Sequence, residues 1–470
     1  MPIATIDPTD GRVLKTFEPL SEARIEAALI RATDGFAALR AASFEQRATW
    51  LRAAADILDA ERDEIARTMT VEMGKTLVAA KAEVAKCAVA CRYYAKNAAA
   101  FLADEPTDPA TVKARQAFVR YQPLGPVLAV MPWNFPLWQA MRFAAPALMA
   151  GNAGLLKHAS NVPQTALFME QLFRRAGFPE GSFQTLLIGS GQVEAVLSDS
   201  RVVAATLTGS EGAGRSIAAI AGRELKKTVL ELGGSDPFVV LPSADIARAA
   251  AVAVTARCQN NGQSCIAAKR FIVHTDVYEA FATAFVERMA ALTVGDPMDE
   301  KTDVGPLATE QGRADVVELV QDAVERGATV LCGGTVPDQP GWWYPPTVVA
   351  DLTPEMRMYR EEVFGPVAGL YRVDSYEEAI EVANGTDFGL GSNVWTTDPA
   401  EQERAIGDLE AGAVFVNGMV TSYPELPFGG IKTSGYGREL SAQGIREFCN
   451  VKTVWVGSEP SAAASAPHTE

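Results

Sequence analysis

The hydrophobic pattern changes period along the chain. Up to about residue 102, apolar positions recur at i, i+3 and i+4, the spacing that lines one face of a helix. This predicts helices over 21–39, 44–69 and 71–102. Ser21 and Ser43 stand where an N-cap hydroxyl would open such helices, and Ser43 with Gln46 fits a capping box. From about Gln116 the pattern becomes short apolar runs at 117–121, 127–131, 153–157, 183–188 and 204–208, which read as strands. The segments 137–150, 162–176, 191–197 and 212–221 read as helices that separate or follow them. After Gly234 the alternation restarts, with strands at 237–241, 270–274, 328–332, 389–395 and 412–417 and helices at 246–258, 277–292 and 310–325. Strand–helix alternation predicts an α/β class with doubly wound, mostly parallel sheets. It divides the chain near Glu231 into two α/β units, with no internal repeat.

Composition narrows the function classes. The chain has 470 residues, 48% hydrophobic and 21% charged, enough for two or three domains with large cores. A net charge of −16 argues against nucleic acid as a partner. The start Met1–Asp7 has neither the basic opening nor the apolar stretch of a signal peptide. No apolar run is long enough to cross a membrane, and six cysteines form no disulfide framework, so a cytoplasmic protein is expected. The stretch 457–470, rich in Ser, Ala and Pro, reads as a disordered tail. Only three histidines are present: His158, His274 and His468. That scarcity counts against a Ser-His-Asp triad, a Cys-His dyad and a His-rich metal site. A base in this chain is expected to be a carboxylate.

Chemistry concentrates in a few segments. Asn260-Asn261-Gly262-Gln263-Ser264 places amides, a glycine and a hydroxyl directly before Cys265, whereas a core cysteine usually sits among apolar residues. Glu231-Leu232-Gly233-Gly234 sets a carboxylate at the end of an apolar run and against two glycines. A thiol nucleophile with a carboxylate base suits covalent attack on a carbonyl. Pro132-Trp133-Asn134-Phe135-Pro136 is a turn stiffened by two prolines, and an Asn amide held there suits an oxyanion donor. A turn with packed aromatics is the plainer reading. Thr208-Gly209-Ser210-Glu211-Gly212 follows a strand and opens a helix, either as a phosphate cradle or as an ordinary turn. Lys157 ends a strand, where α/β folds bind ligands, although a solvated lysine is equally open. Glu361-Glu362-Val363-Phe364 is either a ribose contact or a surface acid pair. Cys87 and Cys91, one helical turn apart, read as core.

Taken together, the segments 132–136, 209–214, 231–234, 262–265, 362–366 and Pro427-Phe428-Gly429-Gly430 with Ser434-Gly435 carry a resemblance. Their order and spacing are similar to the aldehyde dehydrogenase superfamily over roughly residues 3–456. The resemblance implies a Rossmann-like cofactor domain (1–230), an α/β catalytic domain (231–436) and a small β oligomerisation arm. The arm would combine about 104–127 with a strand in 437–456, in a homodimer or homotetramer. It implies that Cys265 attacks the aldehyde, that Asn134 with the Cys265 N–H holds the oxyanion, and that Glu231 activates water. It implies cofactor contacts from Trp133, Lys157, Gly209, Ser210, Leu232, Glu362 and Phe364. At Ser160 many NAD-preferring relatives carry a glutamate that repels a 2′-phosphate. The small neutral Ser160 beside Lys157 therefore implies NADP, with NAD as the lesser alternative. Lys157–Ser160 and 259–270 look most like succinate-semialdehyde dehydrogenases of the shorter bacterial type. Arg142, Gln259 and Ser422 are the substrate-side candidates; Arg142 matches a carboxylate-binding arginine, while some relatives carry an arginine where this chain has Gln259. Ala267 rules out a disulfide with Cys265 of the kind some relatives use as a switch. A broad-specificity aldehyde dehydrogenase, a coenzyme A-acylating enzyme and a non-catalytic protein of the same fold are the competing expectations. The Glu231 carboxylate counts against the second, and Cys265, Glu231 and Asn134 together against the third.

Overall fold

Ser21 and Ser43 open helices as their position predicts. Their hydroxyls accept from the backbone N–H of Arg24 and Gln46, starting Glu22–Ala41 and Phe44–Ala60. The computed structural model describes residues 2–457, so nearly all of the expected tail, with His468, lies outside the described residues. The single helix expected over 44–69 is two helices, Phe44–Ala60 and Arg62–Met73, because Glu61 leaves helical geometry at φ −106° and ψ 15°. The next helix, expected from residue 71, begins at Leu77. Gly74, at φ 78°, ends the preceding helix, and Thr76 caps Leu77–Phe101. Apolar periodicity runs across such breaks, so period alone does not reveal them.

Three sheets frame the site. The first has the order Gly435–Tyr436, Lys227–Glu231, Ala204–Thr208, Pro126–Met131, Ala153–His158, Phe183–Thr185. Its five strands between 126 and 231 are parallel, and Gly435–Tyr436 joins antiparallel. The strand expected over 183–188 stops at Thr185. Gly435–Tyr436, expected within the second unit, pairs with the first sheet instead. The second sheet runs Thr329–Cys332, Thr347–Ala350, Val367–Val373, Ala268–His274, Asp236–Val240, Ser392–Trp395, Val414–Val416, parallel except for the first pair. The third pairs Cys449–Val456 with Gln116–Pro123 and Glu105–Thr107, joining the two segments expected to form the arm. An N-terminal hairpin, Ile3–Ile6 with Val13–Phe17, has no counterpart in the sequence reading.

The largest core lies between the first sheet and the Ala-rich helices. Helix Trp138–Ala150 is buried along its whole length, consistent with an apolar residue at nearly every position. Cys87 and Cys91 are fully buried in this core, and no group of three metal-ligating side chains exists among the described residues. No helix among them is long and apolar enough to cross a membrane. His274, the expected strand-end residue, caps helix Thr275–Ala290, its Nδ1 accepting from the Asp276 N–H.

Candidate active site

Four strands of the first sheet end at one cleft. Met131 leads into the Pro132–Pro136 turn, and His158, Thr208 and Glu231 close the other three. The C-terminal edge of parallel strands is where open α/β sheets bind ligands. The second sheet meets this cleft with its opposite edge. Cys265 immediately precedes Ala268–His274, Gly234 precedes Asp236–Val240, and Glu362 and Phe364 precede Val367–Val373.

The polar run before Cys265 is scaffold. Asn260 and Asn261 are both left-handed, at φ 56° and 57°. Asn is among the few side chains that tolerate this region. Their amides then turn inward. Asn261 Nδ2 donates to the Gly74 and Pro306 carbonyls at 2.7 and 2.9 Å, and its Oδ1 accepts from the Gly305 N–H. Gln263 Oε1 accepts from the Ala308 N–H, and Asn260 Nδ2 donates to the Asn134 and Gln263 carbonyls. Two buried cations complete the scaffold. Lys269 Nζ reaches the carbonyls of Ser264, Cys265 and Ala267 at 2.9, 2.8 and 3.2 Å and pairs with Glu362 at 3.1 Å. Arg257 donates to the carbonyls of Gly262, Ala268 and Gly365. Sequence reasoning missed both, because a lone Lys or Arg in a chain looks like surface.

Cys265 therefore sits in a rigid, mostly dry place. Burial pushes its thiol up to about 12, against the lowering pull of Arg142 and Lys269. The sulfur rests as a neutral thiol and needs a proton acceptor before it attacks. Asn134 Nδ2 donates one hydrogen to the Gln263 carbonyl at 3.2 Å, leaving its second hydrogen free. Among the described residues the Cys265 backbone N–H donates to no protein acceptor. Gly234 is required by close approach: a Cβ there would lie 2.6 Å from the Cys265 carbonyl oxygen. The turn carrying Asn134 is braced by Glu83, whose Oε1 accepts from the Leu137 and Trp138 N–H groups at 2.9 Å. Glu83 is itself paired with buried Lys75, which sits over the Phe135 ring.

Cys265 lies where two cavities meet. One, of about 280 Å³, is lined by Trp133, Asn134, Gly209, Ser210, Leu232, Glu362 and Phe364. It shares Trp133, Glu362 and Phe364 with a further cavity of about 510 Å³ that reaches Lys157, Ser160 and Asn161. The unforeseen N-terminal hairpin supplies Ala4 and Ile6 to this wall, and the Ala4 N–H donates to the Ser160 carbonyl. Lys157 is mostly buried, desolvation lowers its pKa, and no carboxylate lies within ion-pair reach among the described residues. Ser210 caps helix Glu211–Arg223. A Cβ at Gly233 would fall 2.3 Å from Glu211 and 2.7 Å from Glu362. An unpaired cation, a helix N-terminus and the Glu362 carboxylate along one trough fit a phosphorylated dinucleotide. His158 takes no part. It is buried, bonded to the Pro136 carbonyl at 2.7 Å, and desolvation holds it near 4, so it is neutral.

The other cavity, of about 290 Å³, opens from Cys265 between Gln259, Arg142, Trp138, Ser422, Phe428 and Lys86. Arg142 reaches this wall already paired. Its Nε lies 2.7 Å from Glu439 and its guanidinium stacks 4.4 Å from the Phe428 ring centroid. Lys86, which sequence reasoning passed over, donates from Nζ to Ser422 Oγ at 2.8 Å. Glu231 is on neither cavity wall. It is buried behind Gly429, and neither carboxylate oxygen has a hydrogen-bond partner among the described residues. Desolvation first, then the neighbouring Glu439 charge, raise its pKa well above the usual carboxylate range, with Arg142 and Arg438 opposing.

Known proteins share this arrangement. The aldehyde dehydrogenase family model matches residues 1–454. Succinate-semialdehyde dehydrogenase [NADP(+)] of Mycolicibacterium paratuberculosis is 65% identical over 465 residues, covering 99% of this chain and 98% of that protein. Succinate-semialdehyde dehydrogenase [NADP(+)] 1 of Mycobacterium tuberculosis is 65% identical over 97% of this chain and 100% of its own length. A crystal structure of succinic semialdehyde dehydrogenase from Streptococcus pyogenes in complex with NADP+ superposes with a TM-score of 0.94 at 41% identity, over 97% of this chain and 100% of that one. With the family model matched over residues 1–454 and the fold and sequence matched over nearly its whole length, the chain belongs to the aldehyde dehydrogenase family.

Proposed function

We propose that this enzyme oxidises succinate semialdehyde to succinate, with NADP+ as hydride acceptor. The observation that carries the reading is the position of Cys265. One thiol lines both a trough ending in Lys157 and Ser160 and a pocket bearing Arg142, Lys86 and Ser422. The relatives named above for succinate semialdehyde and NADP+ support it at 65% identity.

In this mechanism the Cys265 sulfur, once deprotonated, adds to the aldehyde carbon. The new oxyanion takes the free hydrogen of the Asn134 amide and the unspent Cys265 N–H. NADP+, when bound, supplies the hydride acceptor. Lys157 and Ser160 would hold its 2′-phosphate end, Gly209 and Ser210 its pyrophosphate, and Glu362, with Trp133, Leu232 and Phe364, its nicotinamide ribose. After hydride loss the carbon is a thioester on Cys265. Glu231 turns from Gly429 toward the cavity and takes a proton from water; the water oxygen bonds to the thioester carbon, the carbon–sulfur bond breaks, and the leaving sulfur takes the proton back from Glu231, giving the acid and the thiol. Gln259 faces the substrate. The enzyme works as a homodimer or homotetramer in the cytoplasm. The edge strand Cys449–Val456, with Val451 and Trp455 exposed, offers the assembly surface.

The test is stopped-flow NADPH formation with succinate semialdehyde, followed by kcat/KM for NADP+ and NAD+ over acidic, aliphatic and aromatic aldehydes. A burst that disappears in Cys265→Ala and a preference for succinate semialdehyde with NADP+ are expected. A flat aldehyde panel, or equal use of NAD+, would overturn the corresponding half of the proposal.

A further inference from the structure

Lys86 lies on helix Leu77–Phe101, half-buried, on the wall of the cavity that ends at Cys265. Its ammonium sits 4.3 Å from the Trp138 ring centroid and donates to Ser422 Oγ. Trp138 Nε1 donates to the same oxygen at 3.0 Å. A hydroxyl oxygen that already accepts two hydrogen bonds has its own proton left to give. This corner of the cavity thus gathers an ammonium, an indole N–H and a hydroxyl proton, all of them donors.

The charge on Lys86 is not balanced by the protein. Among the described residues no carboxylate lies within ion-pair reach of its nitrogen. Glu83, one turn earlier, is the ordinary partner for a lysine at this spacing. It is instead committed to Lys75 and to two backbone N–H groups. Arg142, the other cation of the cavity, has Glu439 against its Nε and Phe428 under its plane. A half-buried ammonium without a counter-ion is costly until an anion reaches it.

We infer that Lys86, with the Ser422 hydroxyl, binds the distal carboxylate of the substrate and sets the preference for acidic over uncharged aldehydes. The inference rests on the proposed semialdehyde acid as substrate and names the group that selects it. Arg142 adds a guanidinium whose charge Glu439 has already met. Desolvation first, then the Arg142 charge, bring Lys86 down to about 8, with Cys87 and Glu83 opposing. Lys86 is therefore mostly protonated at neutral pH and loses its charge in mildly alkaline solution. A substrate carboxylate, ionised throughout that range, feels the loss, and an uncharged aldehyde does not.

The experiment compares succinate semialdehyde with butanal, which has the same carbon count and no carboxylate. It uses the full chain, Lys86→Met and Lys86→Arg, each checked by thermal melting. Lys86→Met keeps an unbranched stem against Trp138 and removes the charge. The kcat/KM ratio of succinate semialdehyde to butanal should fall about 10- to 100-fold in Lys86→Met, through KM for the acid rather than kcat. Lys86→Arg should recover most of it. In the unsubstituted enzyme the same ratio should fall as pH rises through about 8, and in Lys86→Arg it should stay level, because the guanidinium keeps its proton. The ratio cancels the ionisations of Cys265 and Glu231, which both aldehydes share. A folded Lys86→Met with an unchanged ratio, or a pH-independent ratio in the unsubstituted enzyme, overturns the inference and leaves the proposed substrate standing. An unsubstituted enzyme that does not prefer succinate semialdehyde to butanal overturns both.

Discussion

Lys269 and Glu231 are both buried ionisable groups at the strand ends that frame the cleft, one from each sheet, and they are treated oppositely. Lys269, at the N-terminal edge of the second sheet, spends its hydrogens on three carbonyls and pairs with Glu362. Arg257 and Arg270 nearby are likewise committed to backbone carbonyls, Arg257 through its terminal nitrogens and Arg270 holding those of Ser235, Val382 and Ala383. Glu231, at the C-terminal edge of the first sheet, has no hydrogen-bond partner at either oxygen among the described residues. A strand's C-terminal edge leads into helix N-termini, whose N–H groups and dipole serve a ligand without side-chain help. The opposite edge presents carbonyls and needs buried cations to fix its loops. Saturated charges here serve structure, and unsaturated ones are left for chemistry.

The largest test of this contrast is Lys269→Met. It strands Glu362 and frees the carbonyls under the thiol loop, so a loss of about 3 to 5 kcal/mol is expected, with a lowered Tm and little turnover. A cost below about 1 kcal/mol, the size of a surface pair, would break the contrast.

Next comes pH. Glu231 acts as a base only when ionised, and burial and then Glu439 raise its pKa well above the usual carboxylate range. Steady-state turnover should therefore fall with decreasing pH at a point above the ordinary carboxylate range, while the NADPH burst persists. Glu439→Gln removes the like charge and releases Arg142, so the inflection should move to lower pH. An inflection that stays in place would separate Glu231 from this step.

The smallest effect belongs to an uncharged residue at the first sheet's edge. Ser210→Ala removes a helix cap, which costs about 1 kcal/mol of stability. It should raise KM for NADP+ severalfold with little change in kcat. A penalty comparable to that of Lys269→Met would erase the distinction between the two edges.

Much of this was readable from residues in order. The strands at 127–131, 153–157 and 204–208 and the caps Ser21 and Ser43 are local signals, and they appear with small shifts at their ends. Asn134, Ser210 and Phe364 line the cavity that reaches Cys265, and Ser160 lines the cavity that adjoins it at Trp133, Glu362 and Phe364. What the order of residues hides is pairing across distance. Arg142 reads as a free guanidinium until Glu439, from the far end of the chain, is brought against it by the bridge between Phe428 and Glu439. Lys86 reads as helix surface because Glu83 stands one turn away, and only the fold diverts that carboxylate to Lys75. The polar run before Cys265, read in order alone, sets this cysteine apart from a core one. Its amides instead satisfy backbone groups of the loop and of neighbouring segments, a demand that exists only after folding.

Asn261-Gly262 has a consequence for how the enzyme ages. In an open chain an asparagine before glycine readily cyclises through the next backbone nitrogen and loses its amide. Here both residues are left-handed, and the Asn261 amide is held by Gly74, Pro306 and Gly305. The fold is thus its own preservative at this bond, and the chemical clock runs during excursions out of the native state. Isoaspartate at Asn261, followed by peptide mapping, should accumulate with the number of unfolding cycles and not with storage time of the folded enzyme. Recovery after heating is then limited by a covalent lesion directly upstream of the thiol.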